Sequence, residues 1–139
     1  MKIAIVYCSF LGTTKKYAKW LHEEVESDLF GALTARQSRM DEYDLVLLCS
    51  GTYAGWISIR GRLQRWWKTL RNKNVILLVV GMAPPEDPQS EHAYFLIPEH
   101  IRENIKYFKV PGKFGSMDRE KVKKEHLQPV LEHIQKLVK

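Results

Sequence analysis

The 139-residue chain has only two cysteines, Cys8 and Cys49, and each ends an apolar run. Two thiols cannot staple a scaffold of this length, so the fold must rest on a hydrophobic core. A reducing, cytoplasmic setting is the expectation. No apolar run approaches the ~20 residues that cross a bilayer. The first apolar stretch, Ile3 to Tyr7, is too short for the core of a secretion signal. Internal repeats, low-complexity segments and linkers are all missing, so one domain over residues 1–139 is expected. Acidic residues are absent from the whole interval between Asp44 and Glu86. Arg60, Arg62, Arg65, Lys68, Arg71 and Lys73 fall in that interval and account for the entire formal net charge of +6.

Several chemistries are excluded by missing residues. There is no GxxxxGK[ST] and no GxGxxG, so triphosphate and dinucleotide loops have no support. A phosphatase nucleophile at Cys8 would need C-x5-R, and the arginine position is Thr14. Cys8 is therefore expected to pack as a small hydrophobe. A response regulator needs carboxylates after the first strand and an aspartate after the third. Tyr7, Cys8, Cys49 and Ser50 stand there instead. His22, His92, His100, His126 and His133 have no metal-ligand spacing.

What is present is an alternation of strands and helices. Residues 2–7, 45–49 and 75–80 read as strands buried on both faces, since Ile3 to Val6 and the whole of the other two runs are apolar without alternation. Weaker strands are expected near 29–35 and 107–113. Helical spacing runs over 13–26 (Tyr17, Ala18, Leu21, Val25) and 59–70 (Ile59, Leu63, Trp66, Trp67, Leu70). Further helices are expected near 92–105 and 118–138, the last with Asp118 as N-cap and a kink at Pro129. "SGTYAGW" and the proline-rich "GMAPPEDPQS" read as loops. This order predicts an α/β, three-layer, doubly wound sheet of five parallel strands, order 2-1-3-4-5. Such sheets bind ligands at the carboxyl ends of their strands. The loops of interest are therefore 8–14, 50–57 and 81–92.

The first of these loops holds Ser9, Gly12, Thr13 and Thr14 between a strand end and a helix start. Helix N-termini carry unsatisfied N–H groups and partial positive charge, so an anion site is one reading. An ordinary N-cap by Thr13 or Ser9 is the other.

"SFLGTT" resembles the phosphate loop of flavodoxins at Ser9, Gly12 and Thr14, with Leu11 standing where that family usually has a hydroxyl. "CSGTYAGW" resembles the family's second flavin loop at Gly51, Thr52, Tyr53 and Gly55. The resemblance covers the whole chain and implies a flavodoxin-like fold with FMN as cofactor. It puts the phosphate on Ser9, Phe10, Leu11, Gly12, Thr13 and Thr14. It puts the isoalloxazine between Gly51, Thr52, Tyr53, Ala54, Gly55 and Trp56 on one side and Gly81, Met82 and Ala83 on the other. Tyr53 or Trp56 would stack on the ring. Backbone groups near Gly51 and Gly81 would tune its potential.

The region "YDLVLLCSGTYAGWISIRGRLQRWW" is in addition most similar to flavodoxin-type protoporphyrinogen oxidases. Carrier flavodoxins are typically acidic and this chain is basic. The expected partner is thus an acidic redox protein, a carboxylate-bearing substrate or an anionic membrane surface, with electron transfer or a small oxidoreductase activity as the role. The alternatives are a module of this fold that has lost its flavin, or a nucleic-acid binder using the basic helix 59–73. For that helix a solvated basic face is the expectation, with no specific nucleic acid.

Overall fold

The computed structural model describes residues 1–8, 12–53, 56–81, 86–112 and 122–138, with the backbone alone at Tyr53. Five strands form one parallel sheet: β1 (Ile3–Cys8), β2 (Asp28–Gly31), β3 (Leu45–Tyr53), β5 (Asn74–Gly81) and β6 (Lys106–Pro111). Their order is β2-β1-β3-β5-β6, which is the expected 2-1-3-4-5 when only these five are counted. A two-residue strand, β4 (Trp56–Ile57), pairs antiparallel with the end of β3. The helices are α1 (Thr13–Glu24), α2 (Gln37–Met40), α3 (Arg60–Leu70), α4 (Pro88–Phe95), α5 (Glu99–Arg102) and α6 (Gln128–Val138).

Strand periodicity divides the core in two. Ile3 and Ile5, Leu45, Leu47 and Cys49, and Ile76, Leu78 and Val80 point to one face. There they meet Tyr17, Ala18 and Leu21 of α1 and Val130 and Ile134 of α6. The intervening residues, Ala4, Val6, Val46, Leu48, Val75, Leu77 and Val79, point to the other face. There they meet Leu63, Trp66 and Leu70 of α3, Ala93 of α4 and Ile101 of α5. This is why the central strands read as unbroken apolar runs: each residue has a helix layer to pack on.

Several boundaries differ from the sequence expectation. The second strand stops at Gly31, where a turn takes over. Ser50–Tyr53 extend β3 and Trp56–Ile57 pair back on it, so "SGTYAGW" is not simply a loop. Its small residues leave the ladder intact, and Ile57 is buried as a strand residue should be. Pro88 starts a helix: Asp87 accepts a hydrogen bond from Gln89 N at 2.9 Å, and Pro88 needs no N–H in the first turn. The helix expected over 92–105 is two pieces because Pro98 interrupts it, and His92 lies inside α4 rather than at its start. The last helix begins at Gln128 after a 3-10 turn over Lys124–Leu127. Pro129 therefore sits in its first turn, where it is tolerated, and causes no mid-helix kink. The expected cap Asp118 lies outside the described residues. Among the described residues, no helix is long and apolar enough to cross a membrane.

α1 is tied across the sheet to the end of β6, where Tyr17 Oη donates to the Pro111 carbonyl at 2.6 Å. Burial pushes the Tyr17 phenol up to about 12, and burial likewise pushes Tyr107 up to about 12. Both phenols are raised in the fold, so their stabilisation is complete below their ordinary value of about 10. It is lost as pH climbs through about 12. Tyr17→Phe should cost about 1 kcal/mol at pH 7. It should also flatten the loss of stability between pH 10 and pH 12, with urea unfolding across that range as the measurement.

Candidate functional site

The carboxyl ends of β1, β3 and β5 lie side by side, with Cys8 opposite Ser50 and Gly51 opposite Val80. The chain leaves β1 and enters α1 through Gly12, whose φ of 86° is left-handed. Gly12 is itself the N-cap, so Thr13 does not fill that role, and the other expected cap, Ser9, lies outside the described residues. Thr13 and Thr14 occupy the first turn and are buried. The Thr13 Oγ1 atom is buried and has no hydrogen-bond partner among the described residues. Polar atoms in such positions are almost always paired, since an unmade bond there costs about 1–3 kcal/mol.

A chain of close approaches links α1 to the ends of β3 and β5. A Cβ placed on Gly51 would stand 3.4 Å from Thr14 Oγ1. One placed on Gly81 would stand 3.2 Å from Thr52 Oγ1 and 3.1 Å from Lys109 Cε. Gly51 shares the parity of the α1 face and Thr52 and Gly81 that of the α3 face, so the row crosses the top of the sheet from one layer to the other. The β3 end is pinned from below. Ser50 Oγ donates to the Gly51 carbonyl at 2.8 Å and accepts from Ile59 N at 2.9 Å, while Ser58 N donates to the same carbonyl at 3.1 Å. Trp56 projects outward, 57% exposed, with the Arg60 guanidinium 5.5 Å from its ring centre.

The structure thus brings together Gly12, Thr13, Thr14, Gly51, Thr52 and Gly81, with Tyr53 and Trp56 paired at the rim. Ser9, Phe10, Leu11, Ala54, Gly55, Met82 and Ala83 lie outside the described residues. Lys109 and Ser90 complete the row and were not among the expected contacts. Lys109 Nζ donates to Ser90 Oγ at 2.9 Å. The only sequence hint was a lysine between Phe108 and Val110 in a strand pattern. Cys8 and Cys49 are free thiols, and full burial raises Cys49 well above the ordinary thiol range, which removes it as a nucleophile. Among the described residues no group of histidine, cysteine and carboxylate could hold a metal.

Glycines, hydroxyls and a helix N-terminus stand at the carboxyl edge of a doubly wound sheet, the edge at which α/β proteins of this architecture bind their ligands. A family model described as Flavodoxin domain matches residues 4–128. The chain belongs to the flavodoxin-domain family. No curated protein matches it. Among solved structures, oxidised flavodoxin 2 from Bacillus cereus is similar with a TM-score of 0.66 at 18% identity, over 98% of this chain and 99% of that one. An FMN-dependent NADH-azoreductase from Bacillus anthracis, solved with FMN, gives 0.64 at 9% identity over 100% of both chains. A flavoprotein from Lactobacillus acidophilus, also solved with FMN, gives 0.55 at 20% identity over 79% of this chain and 91% of that one. At these identities the likeness is one of fold.

Among the described residues nothing lies within 4 Å of a Cβ placed on Gly12, so the penalty for substitution there is torsional. Gly12→Ala should therefore destabilise the protein by about 1–2 kcal/mol, and Gly12→Asn by less, because asparagine tolerates the left-handed region. Thermal unfolding of the two variants checks the order.

Proposed function

We propose that the chain binds FMN at this edge and works in electron transfer or as a small oxidoreductase. The observation that carries the reading is the buried Thr13 Oγ1, without a partner among the described residues, in the first turn of a 12-residue helix. A phosphate at that helix start would accept from Thr13 Oγ1 and from the free N–H groups of the first turn. Gly12 lets the chain reach the helix without a side chain in the way. The cradles at Gly51 and Gly81, which a Cβ would crowd, suit a flat ring laid across the ends of β3 and β5. Trp56 offers an aromatic face at the rim. Bound there, FMN would supply the electron-accepting ring, and the protein's part is to hold it and set its electrostatics. The FMN in the azoreductase and Lactobacillus structures supports the same choice of ligand.

Thr13→Val keeps the shape and removes the orphaned oxygen. It should leave the FMN-free protein as stable or about 1 kcal/mol more stable, and weaken FMN binding about tenfold, because hydrogen bonds to charged groups are the stronger ones. Fluorescence quenching during FMN titration measures the second effect. Equal affinities would show that the phosphate lies elsewhere. A wild-type protein that takes up no FMN would favour the alternative, a module of this fold without flavin.

The partner follows from charge. Arg65, Lys68 and Arg71 are exposed along α3, Arg62 is half-exposed beside them, and none forms an ion pair among the described residues. The helix starts next to Trp56, so its field reaches the rim of the site. This supports an acidic redox partner or a carboxylate-bearing substrate such as a porphyrinogen, and electrostatic steering as its use. Oxidation of the reduced, FMN-loaded protein by ferricyanide, an anion, should slow several-fold in an Arg65→Glu/Lys68→Glu variant at low salt. The gap should close at high salt, where charges beyond ~3 Å are screened. Oxidation by an uncharged quinone should not change. Equal rates with ferricyanide would remove α3 from the steering role.

A further inference from the structure

Lys109 is a charged residue in a strand whose neighbours pack on helices. It stands opposite Val79 in the β5–β6 register, so its side chain leaves the sheet on the α3 and α4 side. Gly81 and Thr52 share that side. The end of the lysine reaches back toward them: Cε and Nζ lie 3.1 Å and 3.2 Å from where a Gly81 Cβ would be, with Thr52 Oγ1 at 3.2 Å from the same point. Glycine at 81 is what leaves the ammonium room. Lys109 Nζ makes one hydrogen bond among the described residues, to Ser90 Oγ in the first turn of α4, at 2.9 Å.

The ammonium is half-buried, and burial lowers its pKa, opposed by the more distant charge of Asp87. Yet it forms no ion pair among the described residues, where the ion pairs are Lys2–Glu42 and Lys124–Glu24. Asp87 is occupied as the N-cap of α4. Desolvating a cation without a carboxylate to offset the cost is unfavourable. A methionine would fill the same space without that cost. The position makes sense when an anion arrives from outside the chain.

We propose that Lys109 is the counter-cation for the reduced flavin ring, favouring reduced over oxidised FMN at this site. The inference rests on the FMN reading above, which lays the ring against Gly81 and Thr52. On taking up two electrons and one proton the ring becomes a monoanion. The proton comes from solvent, and no bond to Lys109 forms or breaks. Its fixed positive charge stabilises the product and leaves the neutral oxidised ring nearly unaffected. A basic site of this kind would accept electrons more readily than one with an acidic surround.

The test compares affinities for FMN in its two redox states, with dithionite as electron donor, in the wild-type protein and in Lys109→Met, Lys109→Gln and Lys109→Arg. Loss of the charge should weaken binding of reduced FMN about tenfold and change binding of oxidised FMN less than about threefold. By linkage that lowers the two-electron midpoint potential by about 30 mV. Lys109→Arg should stay within about threefold of wild type in both states. Two neutral variants guard against one that misfolds, and circular dichroism checks each. If Lys109→Met and Lys109→Gln shift both states equally, or shift neither, the proposal is overturned while FMN binding stands. If wild type binds FMN in neither state, the FMN reading falls first.

Discussion

Parallel strands buried on both faces must all present their carboxyl ends at the same edge, and everything distinctive in this protein follows from that constraint. The return connections are helices packed on the faces, so β1, β3 and β5 cannot end anywhere but side by side. At that edge the ladder stops and backbone groups lose their partners. The protein meets the problem differently at each strand. After β1 the chain turns through a left-handed glycine into α1, whose first turn holds the buried Thr13 Oγ1 without a partner among the described residues. After β3 the ladder is prolonged by the short pairing with β4 and pinned by Ser50. At the end of β5, the Gly81 carbonyl accepts from Gly112 N at 3.0 Å, closing the β6 side.

The same alternation that sorts the core sorts the site. Odd-numbered positions of β3 face α1 and α6, and even-numbered ones face α3 and α4. Gly51 and Thr52 are neighbours in sequence, yet one meets Thr14 of α1 and the other meets the space around Gly81 and Lys109. A ligand lying over β3 would touch both layers at once. On the FMN reading its anionic end would fall on the α1 side, where a helix N-terminus and hydroxyls supply donors. Its other end would fall on the α3 and α4 side, where Lys109 stands. The sheet would then separate holding the ligand from tuning it.

Much of this was legible in the residues. Uninterrupted apolar runs at 3–6, 45–49 and 75–80 report double burial directly, and helical spacing in α1 and α3 reports one packed face. The five-strand order was therefore within reach. Glycine at 51 misled, because a residue poor in strand preference was carried into the ladder by its neighbour Val80 on β5. Pro88 and Pro129 misled in a shared way: each reads as a breaker, and each sits in the first turn of a helix, where the missing N–H costs nothing. Lys109 was invisible for another reason. Its role depends on a glycine 28 positions earlier on the adjacent strand, and no local pattern records that register.

Charge completes the picture. The acid-free interval spans β3, β4, α3 and β5, so it supplies the middle of the sheet, which has no charges, and one helix that has only positive ones. Exposed cations at that density repel one another by a few tenths of a kcal/mol per helical pair, a cost that a mixed surface would avoid. The cations of α3 lie outside the sheet and act at a distance through a screened field, whereas Lys109 is half-buried and acts through a lower dielectric on whatever touches Gly81. Salt would therefore separate the two effects: raising it would screen the long-range field of α3 while leaving the local field at the strand ends largely intact.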